Sequence, residues 1–331
     1  MLIRMLGVRV AACTLALLLW IQLPCPAATP PTANVIPPAP TEVKVGLYMV
    51  DLYDLSIKDE SFVADFYLWM TWRGDFNPEH FEFMNGEMQA KENPDIKKKD
   101  GLNYICWRCR GKFRTSLDFR NYPRDQQVLK IEIEDAFHDS KQLLYTFEKT
   151  AKLEPYPISI TGFRMSEPQR YEVVTMEYKT DYGNPFRAPG ENAKYSRMRI
   201  EIPIEHVAAG RTFLKLFLPV FLSVMIAFLT FLIEPIDLDP RFGVGVAAIF
   251  GAVSSMLVAN ASIPDTPYFS LSDKIHLTSL LFIFASIFLS CVVLKVYKAK
   301  GKKLAGKIDL VVGSTLVASY LIFMAAISLD L

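Results

Sequence analysis

Two stretches hold residues whose types and spacing could do chemistry. In IDLDPRFGVGVAAIFGAVSSMLVANASIPD, residues 236–265, Asp239 and Arg241 flank a proline ahead of a long uncharged run, and Asp265 closes it. In FRNYPRDQQVLKIEIED, residues 119–135, a proline, two arginines, an aspartate and two glutamines crowd into a turn at the mouth of a strand. Carboxylates bracketing an uncharged segment gather cations; they do not make or break bonds. Covalent chemistry finds no constellation. The four histidines, 80, 138, 206 and 276, are scattered, and there is no nucleophile elbow, HExxH, P-loop or dinucleotide fingerprint, so no enzyme is expected. Cys106 and Cys109, three apart on a strand-like segment, point to opposite faces and lack two further ligands, so neither a metal nor another cofactor is expected. No basic patch interleaved with aromatics suggests a nucleic-acid partner.

The elements that must hold these residues divide the chain in two. Its 331 residues carry a net charge of +1, but the charges are unevenly spread. Four apolar runs, at about 213–233, 242–261, 275–296 and 308–329, each have the roughly 20-residue length of a bilayer-spanning helix. The basic stretch KVYKAKGKKLAGK, read as a loop between the third and fourth runs, belongs on the cytoplasmic side. The first 28 residues, with Arg4 and Arg9 ahead of an apolar run and small residues, read as a secretory signal, and a Pro-rich linker follows at 29–41. Both signals place the N-terminal region outside. That region, 42–206, is rich in β-branched and aromatic runs such as VKVGLYMVDLYDL, FVADFYLWMTW, YICWRCRGKFRT, YPISITGF, RYEVVTMEY and SRMRIEIPI. Turn clusters such as NPEH, KENPD and DYGNP separate them, the pattern of a β-sandwich of the immunoglobulin-like kind. The expected fold class is therefore an α+β membrane protein, a sandwich followed by a four-helix bundle over 207–331.

The second apolar run differs from the other three. It holds three glycines, several alanines, Ser254, Ser255 and Asn260. Small residues allow helices to pack closely in membranes, which is one reading. At helical spacing Gly243, Ala247, Phe250, Ser254, Leu257 and Ala261 also share one stripe. Several copies facing an axis would make a pore lining with apolar constrictions at Phe250 and Leu257.

Taken together these residues resemble the pentameric ligand-gated ion channels, in their bacterial branch related to the animal Cys-loop receptors. LDFRNYPRDQQ resembles the family's aromatic-Pro-Phe-Asp-x-Gln loop, Pro219 sits where the first membrane helix carries its proline, and ASIPDTPYFSLSDKIHL resembles the linker between the second and third helices. The resemblance implies four identical partner subunits around a pore for monovalent inorganic ions, bathed in membrane lipid. It implies a multi-pass protein of the inner membrane with its N-terminal domain in the periplasm or extracellular space. It further implies that the turn of Tyr122, Pro123, Arg124, Asp125 and Gln127 couples the two halves. Tyr122, Pro123 and Asp125 would meet the linker around Pro264, Pro267 and Tyr268. His206 falls where relatives place an arginine that pairs with the loop aspartate, so a pairing of His206 with Asp125 is expected to respond to protons. Arg124 stands in place of the family's aromatic, and the flanking cysteines are absent, as in bacterial relatives.

Selectivity and effector stay open at this level. A ring of Asp239 favours cations, while Pro240, Arg241, Gly243 and Gly245 resemble the pattern of anion-selective relatives. Tyr178, Tyr182, Phe186 and Tyr195, near the hairpin DYGNPFRAPGENAKYS, and Tyr145 and Phe147 could cage a small cationic amine. Protons or divalent ions acting on Glu132, Glu134, Asp135 and Asp139 are the alternative. A non-conducting receptor of the same topology is the rival reading.

Overall fold

The computed structural model describes residues 39–148, 160, 162–166, 169–188 and 190–329. The expected signal, most of the linker and most of YPISITGF lie outside them.

Two sheets form the N-terminal half. The first has the order β4 (Gly86–Lys99), β5 (Leu102–Arg114), β2 (Ser61–Arg73), β1 (Thr41–Ser56) and β7 (Leu143–Phe147); β1 and β7 run parallel, the others antiparallel. The second has β3 (Phe81–Phe83), β6 (Gln126–Asp135), β10 (Ala193–His206) and β8 (Phe163–Met165), with β9 (Arg170–Tyr178) also paired to β10. Alternation of apolar and polar residues sends Leu129, Ile131 and Ile133 of β6 and Ile200, Ile202 and Ile204 of β10 into one core with Phe62, Phe66 and Phe113. The rings of Phe83 and Phe113 meet across the two sheets at 4.9 Å.

The KENPD cluster, expected to be a turn, is part of β4. Its pairing with β5 shifts register between Glu92 and Asp95, and Asn93 has φ 53°. Asn93 and Pro94 thus make a bulge on an edge strand, the one place in a sheet where a proline costs little. One glycine has a steric role. A Cβ on Gly46 would lie 2.2 Å from the indole of Trp69 on the paired strand. That indole donates to Glu148 at 2.6 Å. Gly46→Ala is expected to destabilise the protein by about 1–3 kcal/mol through overpacking, read as a lower unfolding midpoint of the purified protein; an unchanged midpoint would mean the ring moves freely.

The C-terminal half is four helices: α1 (Ala209–Phe228, continued by a 3-10 turn, Leu229–Leu232), α2 (Leu238–Asn260), α3 (Leu271–Lys300) and α4 (Lys302–Leu329). All four are long and apolar enough to cross a bilayer, and the chain is a multi-pass membrane protein. The helices begin earlier than the apolar runs because polar residues form their first turns. In α3, Ser270 accepts from the Asp273 amide at 3.1 Å while Asp273 takes the Ser270 amide at 2.9 Å, a reciprocal cap. The basic stretch is not a loop. It is the end of α3 and the start of α4, joined by Gly301 alone at φ 85°, a conformation that favours glycine.

Candidate functional site

Helix α2 has two unlike faces. Arg241, Gly245, Ala248, Ala252, Ser255 and Ala259 are buried against the other helices. A Cβ on Gly245 would lie 2.4 Å from Ile287, and one on Gly251 2.5 Å from the Ser223 hydroxyl, so these two glycines admit α3 and α1 to close range. Gly243 has open space around it. It lies on the opposite face with Ala247, Phe250, Ser254, Leu257 and Ala261, all exposed in the single chain. Phe250 is 69% and Leu257 66% exposed, the bulkiest groups on that stripe. The two readings of the small residues therefore divide between two faces of one helix.

The charges at the start of α2 divide as well. Asp239 is exposed beside that free stripe. Arg241, expected with it at the mouth of a pore, is only 1% exposed and points into the bundle. Its Nη1 donates to Asp309 Oδ1 at 3.0 Å and its Nη2 to Asp309 Oδ2 at 2.5 Å, and Nη2 also donates to the Ile233 carbonyl. A guanidinium in a low-dielectric interior needs such a carboxylate, and Asp309 on α4 was not foreseen because it lies 68 residues away. Arg241 thus contributes no free charge to the exposed face.

The turn before β6 joins the two halves, with Arg124 standing 4.5 Å from the centre of the Phe213 ring of α1 and Tyr268 reaching the turn from the linker. Tyr122–Pro123 is a cis peptide. The contacts with the α2–α3 linker come from the residues just ahead: the Tyr268 hydroxyl accepts from the Phe119 amide at 3.0 Å, and the Leu271 amide donates to the Arg120 carbonyl at 2.8 Å. Arg120 also lies over the Tyr268 ring, 4.9 Å from its centre. Ile263 of the linker belongs to the core of the β domain with Phe119 and Tyr122. Pro264 is half-buried and Pro267 exposed. Tyr122 and Asp125 turn inward instead.

There Asp125 meets His206, at the end of β10. Nε2 and Oδ1 are 3.9 Å apart, and both atoms are buried with no hydrogen-bond partner. The His206 ring packs between Tyr122 and Phe163, with centroids at 5.6 and 4.1 Å. Gln127 donates to the other oxygen of Asp125 and, at 2.6 Å, to the Asp118 carbonyl, so it pins the turn. Burial holds the Asp125 carboxyl above its ordinary value, against the opposing effects of Gln127 and His206. Burial likewise holds the His206 imidazole below its ordinary value, opposed by Asp125.

The expected effector residues are only partly assembled. Tyr178, Tyr182 and Tyr195 form a cluster with ring centroids 5.8–6.4 Å apart. Below it, Tyr178 donates to Glu134 at 2.9 Å, and Arg197 bridges Glu134 and Glu132 at 2.7 and 2.6 Å. Glu132 and Glu134 are thus neutralised within the sheet by Arg197 and Arg199. Burial pushes the Tyr178 phenol up to about 12, so it stays a donor. Tyr145 is 2% exposed and belongs to the core. Phe147 packs on Tyr171 at 4.8 Å, and Phe186 is 94% exposed, apart from the tyrosine cluster. Asp135 is occupied by the His138 ring at 2.7 Å and Asp139 by Arg187 at 3.0 Å, which leaves no open carboxylate cluster there. Among the described residues, no group of three His, Cys, Asp or Glu side chains is placed to hold a metal. Cys106 and Cys109 are unpaired, and burial raises the Cys109 thiol to about 12, far from the thiolate a metal would bind.

No protein-family model matches this chain, and no curated protein matches it significantly. Geometry and sequence carry the functional reading.

Proposed function

We propose that the protein is one subunit of a homopentameric ligand-gated ion channel. The observation that carries this reading is the free stripe of α2. It is an uncharged helix face of small residues with two bulky rungs, begun by the exposed Asp239, while the opposite face carries the packing glycines. A bundle built only for anchoring has no use for that asymmetry. Five copies would close the stripe around an axis, with Phe250 and Leu257 as apolar constrictions that gate by dewetting. The N-terminal domain, in this reading an immunoglobulin-like sandwich, faces the outside and receives the effector. The tyrosine cluster at the β9–β10 hairpin suits a small cationic amine.

The test is current through the purified protein in a planar bilayer under a sodium chloride gradient, with the mass of the intact complex measured in parallel. Five-fold mass and unitary currents reversing toward the sodium limit are expected. A monomer in mild detergent, silent at every pH and with every cationic amine, would remove the proposal; reversal at the chloride limit would retain the channel and replace its selectivity.

The buried pair gives a pH dependence with a definite sign. His206, held below 6.5, contributes stability above that value and loses it as pH falls through the folded value. Asp125, held above 3.8, contributes below that value and loses it as pH rises through its own. From about pH 7.5 to about 5.5 the parent should lose up to roughly 1 kcal/mol more stability than His206→Ala. Equal losses in thermal unfolding would mean that burial does not hold the His206 imidazole below its ordinary value.

A further inference from the structure

The sequence holds one Asn–Gly pair, Asn85–Gly86, at the turn where the chain passes from β3 in one sheet to β4 in the other. The structure fixes the two residues for unrelated reasons. Asn85 is a clasp between the sheets. Its Nδ2 donates to the carbonyls of Arg114, at the end of β5, and Lys130, on β6, at 2.8 and 2.7 Å. Its Oδ1 accepts from the Glu132 amide at 2.9 Å. Two carbonyls and one N–H around a single side chain suit an amide and not a carboxylate, which has no hydrogen to give. Gly86 is demanded by close packing on β5. A Cβ there would lie 2.6 Å from the Lys112 carbonyl oxygen and 2.6 Å from the Phe113 ring.

Asparagine followed by glycine converts itself readily, because no side chain shields the glycine nitrogen. That nitrogen attacks the asparagine Cγ, ammonia leaves, and water opens the resulting cyclic imide to aspartate or isoaspartate. Water is the only co-reactant, and nothing is oxidised or reduced. We infer that Asn85–Gly86 is a self-modification site gated by the fold. While the clasp is shut, the side chain cannot swing onto the Gly86 nitrogen without breaking its three hydrogen bonds. When this edge of the β domain opens, the amide is released and the reaction runs. The product cannot close again. A carboxylate would face the Arg114 and Lys130 carbonyls with nothing to donate, and isoaspartate would lengthen the backbone at the turn. The site thus keeps an irreversible record of opening. Asn77, Asn93 and Asn184 are each followed by proline, whose nitrogen has no hydrogen to lose, so they do not share this route. The inference rests on the β domain alone and not on the channel proposal.

The experiment incubates the full-length protein at mildly alkaline pH, one portion in detergent and one in guanidinium chloride. Mass spectrometry then follows the peptide that trypsin releases by cutting after Arg73 and Lys91. The mass gain of an amide turned into an acid should appear at Asn85 about 100-fold faster in guanidinium, while Asn77 in the same peptide stays unchanged. Equal rates in the two portions would overturn the gating, and no conversion in guanidinium would overturn the site. This readout needs only the parent chain. A second measurement compares guanidinium unfolding of Asn85→Asp with the parent. The variant should have the lower midpoint, and its deficit should shrink as pH falls toward about 4, where a protonated carboxyl can donate again. A variant as stable as the parent, or a deficit that does not change with pH, would overturn the block to closing.

Discussion

Asp309→Asn should cost about 3–5 kcal/mol and yield little folded protein, because it leaves the Arg241 guanidinium charged and uncompensated inside the bundle. Arg241→Met should do comparable damage by stranding the carboxylate. The double variant Arg241→Met/Asp309→Leu should recover most of the loss, since an apolar pair of similar volume replaces a costly ion pair. The measurement is the folded yield and the unfolding midpoint of the four proteins in one detergent. A double variant no better than either single one would show that Arg241 is needed for its bond to the Ile233 carbonyl as well as for the carboxylate. Among the described residues the pair is the one strong polar tie between α2 and α4, which is why the effect should be large.

Exchanging Asp239 for glutamine should lower the sodium-to-chloride permeability ratio about ten-fold or more, seen as a reversal potential moving toward zero under a salt gradient. Arg241 is buried and neutralised by Asp309, so Asp239 is the charge left exposed beside the stripe. Five such carboxylates would set the local potential. An unchanged ratio would place the filter elsewhere, with Asp237 the next exposed carboxylate along the chain.

The legibility of this molecule in its sequence follows from the range of the forces involved. The strands β1, β2, β5, β6, β9 and β10 and all four helices rest on local periodicity, and each lies close to its expected place. The edge strand β4 was hidden because Asn93 and Pro94 read locally as a turn, and only pairing with β5 shows them to be a bulge. The stripe on α2 was readable for the same reason as the helix itself, since spacing alone puts six residues on one face. What could not be read was which face the rest of the bundle covers. The partners of Arg241 and of Tyr268, and the fully buried state of Tyr145, depend on chain segments tens to more than a hundred residues away. The meeting of His206 and Asp125 was reachable only through resemblance, because no local pattern links positions 81 residues apart.

The single-residue joint at Gly301 has a mechanical consequence. Two helices of 30 and 28 residues are joined by one residue, so their joined ends cannot separate by more than the span of a few bonds, on the order of 4 Å per residue. There is no slack there to absorb a displacement and no appendage for a soluble protein to grasp. Any push on that end of α3 is delivered directly to α4, and through Asp309 to the foot of α2. On that side the molecule answers to the membrane it sits in.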